Sequence, residues 1–399
     1  MKKIFFVLSA ILILIVGFVV VDYSTNGNIS GLNFISKEPV IKKNTVKQKN
    51  VDDKPEKKSV TILATGDIMY HLPLYIRNFD ETKRKYDFST YYAKMKEYID
   101  LSDITVGNFE STVNPNRRIS GHPMFNTPKE ALEYLKEIGF DVLSTVNNHC
   151  IDTHAEGIET TIDEMDNAGL KHFGTYKTAD RPMLVVEKND IKIGFIGYSE
   201  IFNGLESLVP KDRAYMISPL DEELIKEDIS KLKSLGADFI IAYPHWGVEY
   251  SKEPSEVQKY FNDYFLNLGV DAVLGSHPHV LQPVKNSSYN GKKTFTIFSM
   301  GNSISNQRIK WLPKDGVETG VFVKLYIDKE NGVTSLTNVE LIPTYVNRYI
   351  DENGKPQSEV LAYKDIIDGG KYRDTLDDAT KAFVDKNYNL LSESLREYE

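Results

Sequence analysis

From Val60 onward, short apolar runs rich in β-branched residues alternate with longer amphipathic segments, and no other feature restricts the possible folds of this chain as much. The short runs have strand length, while the segments between them repeat apolar residues at three- and four-residue spacing, the period of a helix. That alternation predicts an α/β domain in which helices connect parallel strands. Strands are expected at residues 60–64, 104–106, 142–145, 193–196, 239–242, 272–274 and 295–298. Residues 321–327 and 339–342 read as two antiparallel strands that finish a sheet. Thr127-Pro128-Lys129-Glu130 predicts a capped helix start with proline at the first helical position, and Thr153-His154-Ala155-Glu156 repeats the capping box. Residues 221–235 and 254–268 carry the helical apolar spacing.

The N-terminal part is different in kind. Lys2 and Lys3 precede residues 4–21, which contain no charge and are near the minimum length for a membrane span. A cleaved signal peptide is the competing reading, but no small-x-small site follows the apolar run. Residues 1–22 are therefore expected to be an uncleaved single-pass anchor in the cell membrane. The lysines place its N-terminus in the cytoplasm and the remainder outside. Residues 23–58 are hydrophilic and predict a flexible stalk, followed by the domain at 59–345 and a peripheral, mostly helical tail at 346–399. A formal net charge of -9, with no long basic stripe interleaved with aromatics, argues against nucleic acid as the partner. The single cysteine, Cys150, excludes an intramolecular disulfide and is expected to be a small buried thiol.

Polar residues cluster just after the expected strands, where open α/β sheets bind their ligands. Asp67 follows the first strand and Glu110 the second. Asn147-Asn148-His149, then Asp152, follow the third, and His245, then Glu249, follow the fifth. His277 and His279 follow the sixth and Asn302 the seventh. Two histidines two residues apart in extended backbone point to one side, so both imidazoles are expected to converge. Imidazoles mixed with carboxylates suit one or two divalent ions, Mn, Fe or Zn rather than Ca or Mg. Such ions polarise a phosphoryl or acyl oxygen and activate water.

Gly66-Asp67-Ile68-Met69, Asn108-Phe109-Glu110, Asn147-Asn148-His149 with Asp152, His245-Trp246-Gly247 with Glu249-Tyr250, and Gly275-Ser276-His277-Pro278-His279-Val280-Leu281-Gln282 resemble the ordered motifs of the CapA/PgsA family. The resemblance spans roughly residues 60–342. It implies a calcineurin-like metallophosphatase fold, a four-layer αββα sandwich behind a transmembrane anchor, that serves poly-γ-glutamate capsule synthesis or export. It also implies Asp67, Glu110, Asn148, His245, His277 and His279 as metal ligands, with Glu110 bridging two ions. His149 would act as the acid that protonates a leaving group, a role within its titration range. Asp152 and Glu249 are expected to orient His149 and His245.

The first motif departs from the metallophosphatase pattern Asp-x-His, because Met69 stands at the histidine position and a thioether is a poor ligand for Mn or Zn. His71 is either a replacement ligand or a loop residue. Arg118, with Arg117, is either an anion contact or part of a solvated loop. The implied partners are poly-γ-glutamate or another anionic polymer and a capsule synthase complex. Three activities stay open at this point: metal-dependent hydrolysis or transfer in capsule assembly, a non-catalytic grip on a polyanion, and a surface phosphoesterase unrelated to capsule.

Overall fold

In a computed structural model that describes residues 57–398, the chain builds two mixed β-sheets. The expected anchor, and nearly all of the expected stalk, lie outside these residues. Among the described residues no helix is long and apolar enough to cross a membrane.

The first sheet holds parallel strands β1 (Lys58–Ile68), β4 (Ile104–Phe109), β5 (Val142–Ser144) and β6 (Lys171–Phe173). A two-residue ladder, β2 (Phe79–Asp80) with β3 (Lys85–Tyr86), lies in the connection between β1 and β4. The second sheet contains β7 (Leu184–Lys188), β8 (Ile191–Ser199), β9 (Phe239–His245), β10 (Ala272–Leu274), β11 (Val284–Tyr289) and β12 (Lys292–Ile297). Strands β8, β9, β10 and β12 run parallel, and β7 and β11 are antiparallel edges. The chain then returns to the first sheet. β13 (Asn302–Ile304) pairs with the end of β1, and β14 (Thr319–Glu330), β15 (Val333–Ile350) and β16 (Pro356–Ala362) extend it antiparallel.

Side-chain alternation explains the layering. In β1, Val60, Ile62 and Ala64 enter the core between the sheets, while Leu63 faces the other way. In β9, Phe239, Ile241 and Tyr243 point into the shared core, and Ile240 and Ala242 point outward. Helix α1 (Glu130–Ile138) covers the outer face of the first sheet through Leu132 and Leu135. Helices α3 (Glu222–Ser234) and α4 (Glu256–Asn267) cover the second through Ile225, Ile229, Leu232 and Phe265. Each sheet is thus buried on both faces, which is why its strands read as nearly continuous apolar runs. The order helix, sheet, sheet, helix is the expected αββα layering.

Three local expectations are corrected. Thr127 does not cap α1, which starts at Glu130, because its buried hydroxyl is bonded to Ser111 Oγ at 2.7 Å. Thr153 precedes helix α2 (His154–Ala168) but donates to Thr112 Oγ1 at 2.8 Å. Both hydroxyls are buried beside the loop that follows β4, where an unmet donor costs about 1–3 kcal/mol, more than a cap returns. By contrast Asp221 and Ser255, nearer the surface, do cap α3 and α4. The third correction concerns the tail. Residues 346–362 are not peripheral helix: β15 runs to Ile350 and pairs with β16, placing Val346, Val360 and Leu361 in the core. The polar start of β16, Pro356-Gln357-Ser358-Glu359, masks this strand in the sequence. After turns over residues 363–377 the tail forms helix α5 (Asp378–Ser394), and its Val384 and Leu391 join the core between the sheets.

Candidate metal centre

Parallel strands from both sheets end on one side of the molecule and deliver the polar residues there. A bulge between Thr65 and Asp67 re-aims the end of β1. Gly66 permits it, because a Cβ at that position would sit 2.0 Å from the Gly301 carbonyl oxygen. The Asp67 amide donates to that same carbonyl at 3.0 Å. Glu110 follows β4 directly, and β9 ends on His245 itself. Beyond β10, Gly275 lets the chain pass against Phe298, whose carbonyl oxygen would lie 2.0 Å from a Cβ. His277 and His279 come next.

These two histidines are not in extended backbone. Their φ values are +97° and +58°, in the left-handed region on either side of Pro278. The loop coils, and the Tyr250 amide fixes it by donating to the Pro278 carbonyl at 2.8 Å. Both rings still face one cluster, with centroids 5.9 Å apart. Their convergence comes from this coil and not from strand periodicity.

His245 Nε2 is the meeting point. It lies 3.1 Å from His277 Nδ1, 3.0 Å from Asn148 Oδ1 and 3.7 Å from Glu110 Oε1. Glu110 Oε1 is also 3.8 Å from His279 Nε2, and His279 Nδ1 is 3.1 Å from Asp67 Oδ2. Ligand atoms of Glu110, His245 and His277 lie within 4.8 Å of one another, as do those of Asp67, Glu110 and His279. Glu110 belongs to both groups, the arrangement expected of a bridging carboxylate. Neither of its oxygens accepts a hydrogen bond, although the residue is fully buried. A buried carboxylate in that state is strongly disfavoured without a cation or a proton.

Burial, with the charges of Asp67 and then Glu249 next, pushes the Glu110 carboxyl well above the usual carboxylate range. Burial, followed by the neighbouring His277, holds His245 well below the usual imidazole range. Burial and His279 bring His277 down to about 3. The imidazoles therefore offer lone pairs at neutral pH, the form that ligates metals. Orphaned carboxylate oxygens facing neutral imidazoles and an amide oxygen fit a divalent cation.

The other expected residues divide clearly. His149 Nδ1 and Asp152 Oδ2 are 2.8 Å apart, and Asp152 also accepts from the Phe125 amide, so this pair is held as expected. The Phe125 ring meets His149 edge-on at 4.7 Å. Glu249, expected to orient His245, does not touch it: it is exposed and groups with His277 and His279 instead. The reason is spacing, since Glu249 lies four residues past the end of β9, on the far side of the Gly247 turn at φ +91°. Asn302 is buried and donates to the carbonyls of His279 and Val317, supporting the histidine loop. Arg118 is exposed, and what it contributes is a backbone carbonyl that accepts from Asn126. Met69 is buried, and His71 Nδ1 is turned to the Met69 carbonyl and the Asn306 amide.

Two contacts were not anticipated. Asn108 Nδ2 donates to Asp67 Oδ1 at 2.8 Å and lies 3.2 Å from His245 Nδ1, and Ser276 Oγ lies 3.1 Å from the same nitrogen. Both residues sit inside the strand-end motifs, and only their polar character at those positions signals them.

The family model described as bacterial capsule synthesis protein PGA_cap matches residues 61–307. The PGA biosynthesis protein CapA of Bacillus subtilis (strain 168) is 28% identical over 248 residues, covering 61% of this chain and 62% of that protein. The capsule biosynthesis protein CapA of Bacillus anthracis is 28% identical over 263 residues, covering 63% of this chain and 61% of that protein. The matches thus span about three-fifths of these relatives' length. Among solved structures, the calcineurin-like phosphoesterase YfkN from Bacillus subtilis is similar with a TM-score of 0.43 and 17% identity, covering 72% of this chain and 91% of that one.

Proposed function

This chain belongs to the bacterial capsule synthesis protein PGA_cap family, and from that membership we propose that it is a metal-dependent hydrolase or transferase of poly-γ-glutamate capsule assembly, export or attachment. The proposal includes the membrane anchor at residues 1–22 with the domain outside the cell, and association with a capsule synthase complex. One observation carries the chemistry: Glu110 is buried with both oxygens unpaired between His245 and His279. Asp67, Glu110, Asn148, His245, His277 and His279 would hold one or two divalent ions, which when bound polarise a phosphoryl or γ-glutamyl oxygen and activate water. His149 supplies the proton to the leaving group. Asp152 holds its Nδ1, so Nε2 is the nitrogen left to face a substrate. The Phe125 ring restricts the imidazole to that orientation and excludes water from one side.

Metal content of the purified chain, followed by turnover of a phosphodiester and of poly-γ-glutamate, tests this reading. We expect bound metal, and loss of turnover by roughly 100-fold or more in His149→Ala, the scale of general acid catalysis. Metal present with neither substrate turned over, and polymer still bound, would instead establish the second reading, a non-catalytic grip on the polymer. That reading is favoured by Met69, whose thioether leaves the Asp67 side one ligand short, and by His71, whose Nδ1 is engaged with backbone.

A further inference from the structure

One wall of the site is basic, in a chain whose formal net charge is -9. The segment 305–316, between β13 and β14, contains Arg308, Lys310, Trp311 and Lys314 and one acid, Asp315. Glu318 Oε1 pairs with Arg308 Nε at 2.9 Å, while Lys310 and Lys314 are exposed. Arg348 reaches this segment from β15. Its guanidinium carbon lies 5.7 Å from the centroid of the Trp311 ring, and its Nη1 donates to Asn306 Oδ1. The indole itself is 59% exposed.

Two sets of contacts tie this wall to residues around the metal cluster. The Asn306 amide donates to His71 Nδ1 at 3.3 Å. Gln307 accepts from Asn302 and donates to the Tyr250 hydroxyl at 3.3 Å, and the Tyr250 ring is 6.1 Å from that of His279. Lys314 Nζ stands 5.9 Å from the same Tyr250 ring. The cations therefore flank the histidines, and Glu249 is the exposed acid that groups with His277 and His279.

Resting on the capsule reading, we propose that Arg348, Lys314 and Trp311 form a carboxylate-binding rim that holds successive side chains of an extended polycarboxylate while one linkage enters the metal cluster. With Nη1 engaged by Asn306 and the guanidinium within cation–π range of the indole, Arg348 keeps its remaining N–H groups for a carboxylate, and both contacts restrict the rotamers it would otherwise lose on binding. Burial and the nearby Arg308 already hold the Arg348 guanidinium below its ordinary value. Glu318 already neutralises Arg308, whereas no acid lies within ion-pair distance of Arg348 among the described residues, so an anion at the rim supplies the partner that Arg348 lacks. Trp311 offers its exposed face to the methylene groups between the carboxylates.

The chain has two tryptophans, and Trp246 is fully buried, so acrylamide quenching of the fluorescence reports Trp311. The Zn-loaded full chain is titrated with a γ-linked glutamate oligomer, and affinity is read in parallel by anisotropy of the labelled oligomer. We expect the oligomer to protect Trp311 from quenching. Kd should rise about tenfold in Arg348→Ala and several-fold in Lys314→Glu, the scale of one charge-assisted hydrogen bond and of one rim charge. Lys314 is exposed, so its variant tests the rim even if Arg348→Ala loosens β15. Unchanged Kd in both variants, with tight wild-type binding, overturns the rim and leaves the capsule reading standing. A wild-type chain that ignores the oligomer overturns both. Polyphosphate that binds the rim more tightly than the oligomer overturns the carboxylate assignment.

Discussion

Replacing Glu110 by glutamine should stabilise the metal-free protein and abolish its stabilisation by metal. The residue is fully buried, accepts no hydrogen bond, and is pushed above the usual carboxylate range by burial and Asp67. In the unfolded chain a glutamate ionises near pH 4.3, so a carboxyl raised far enough to stay protonated in the fold at pH 7 would cost at most roughly 4 kcal/mol. A glutamine avoids that cost but buries an amide with unmet partners, at about 1–3 kcal/mol. At that upper bound the difference is about 1–3 kcal/mol in favour of Glu110→Gln, a Tm increase on the order of 2–8 °C in EDTA. Metal reverses the order. At one hundred times its Kd a ligand stabilises the wild type by about 2.7 kcal/mol, and the variant, lacking the shared carboxylate, should retain little of this. Scanning calorimetry of both proteins at pH 7, with EDTA and then with Mn, measures all four states. A variant that melts lower than wild type in EDTA would show that Glu110 is satisfied within the protein. A variant raised by Mn as much as wild type would show that it is no ligand. Either result refutes the reasoning.

Two further predictions concern groups outside the site. Burial pushes the Cys150 thiol up to about 12, so the native protein at pH 8 should resist a thiol reagent that labels it fully in guanidinium, and labelling of the native chain within minutes would contradict its buried placement. Asp271 precedes β10, accepts from the Ile240 amide at 2.9 Å, and is raised by burial to about 6. Its folded value lies above the unfolded value of about 3.9, so its protonation adds stability that is fully present below about pH 4 and lost as pH rises through 6. Asp271→Asn keeps an acceptor for Ile240 and cannot ionise. Urea unfolding should find it about 1–3 kcal/mol more stable than wild type at pH 7.5, with the gap narrowing toward pH 4.5. Parallel curves at the two pH values would exclude Asp271 as the source.

Much of this architecture is legible in the sequence because a strand buried on both faces has to be a continuous apolar run, as in residues 239–242 and 272–274. The residues at the ends of those runs are then the ones a ligand can reach, which is how Asp67, Glu110, Asn148, His245, His277 and His279 come to lie together. Edge strands are harder. β7 and β11 are half exposed, and β16 begins with polar residues, so none shows a continuous run. Caps fail for a different reason: Thr127 and Thr153 match the capping pattern, but tertiary contacts to Ser111 and Thr112 take their hydroxyls. Backbone handedness at His277 and His279 is invisible to residue spacing, since the left-handed φ values depend on how Pro278 meets Tyr250 across the cluster.

The donors of the centre are unevenly engaged, and this bears on what Met69 means. Asp67 already receives the Asn108 amide on one oxygen and has His279 Nδ1 and the His277 amide near the other. Its side of the cluster is held by internal hydrogen bonds, which a ligated ion must displace or tolerate. On the side formed by Glu110, His245 and His277 the two imidazoles are bonded to each other, to Asn148 and to Ser276, but both Glu110 oxygens are unpaired. A buried carboxylate with no hydrogen bond gains more from a cation than Asp67, whose oxygens already have partners. The substitution of Met69 for a histidine therefore falls on the side where the protein already supplies its own partners. The side where Glu110 lacks them keeps all of its proposed ligands, and Glu110 is the residue common to both groups.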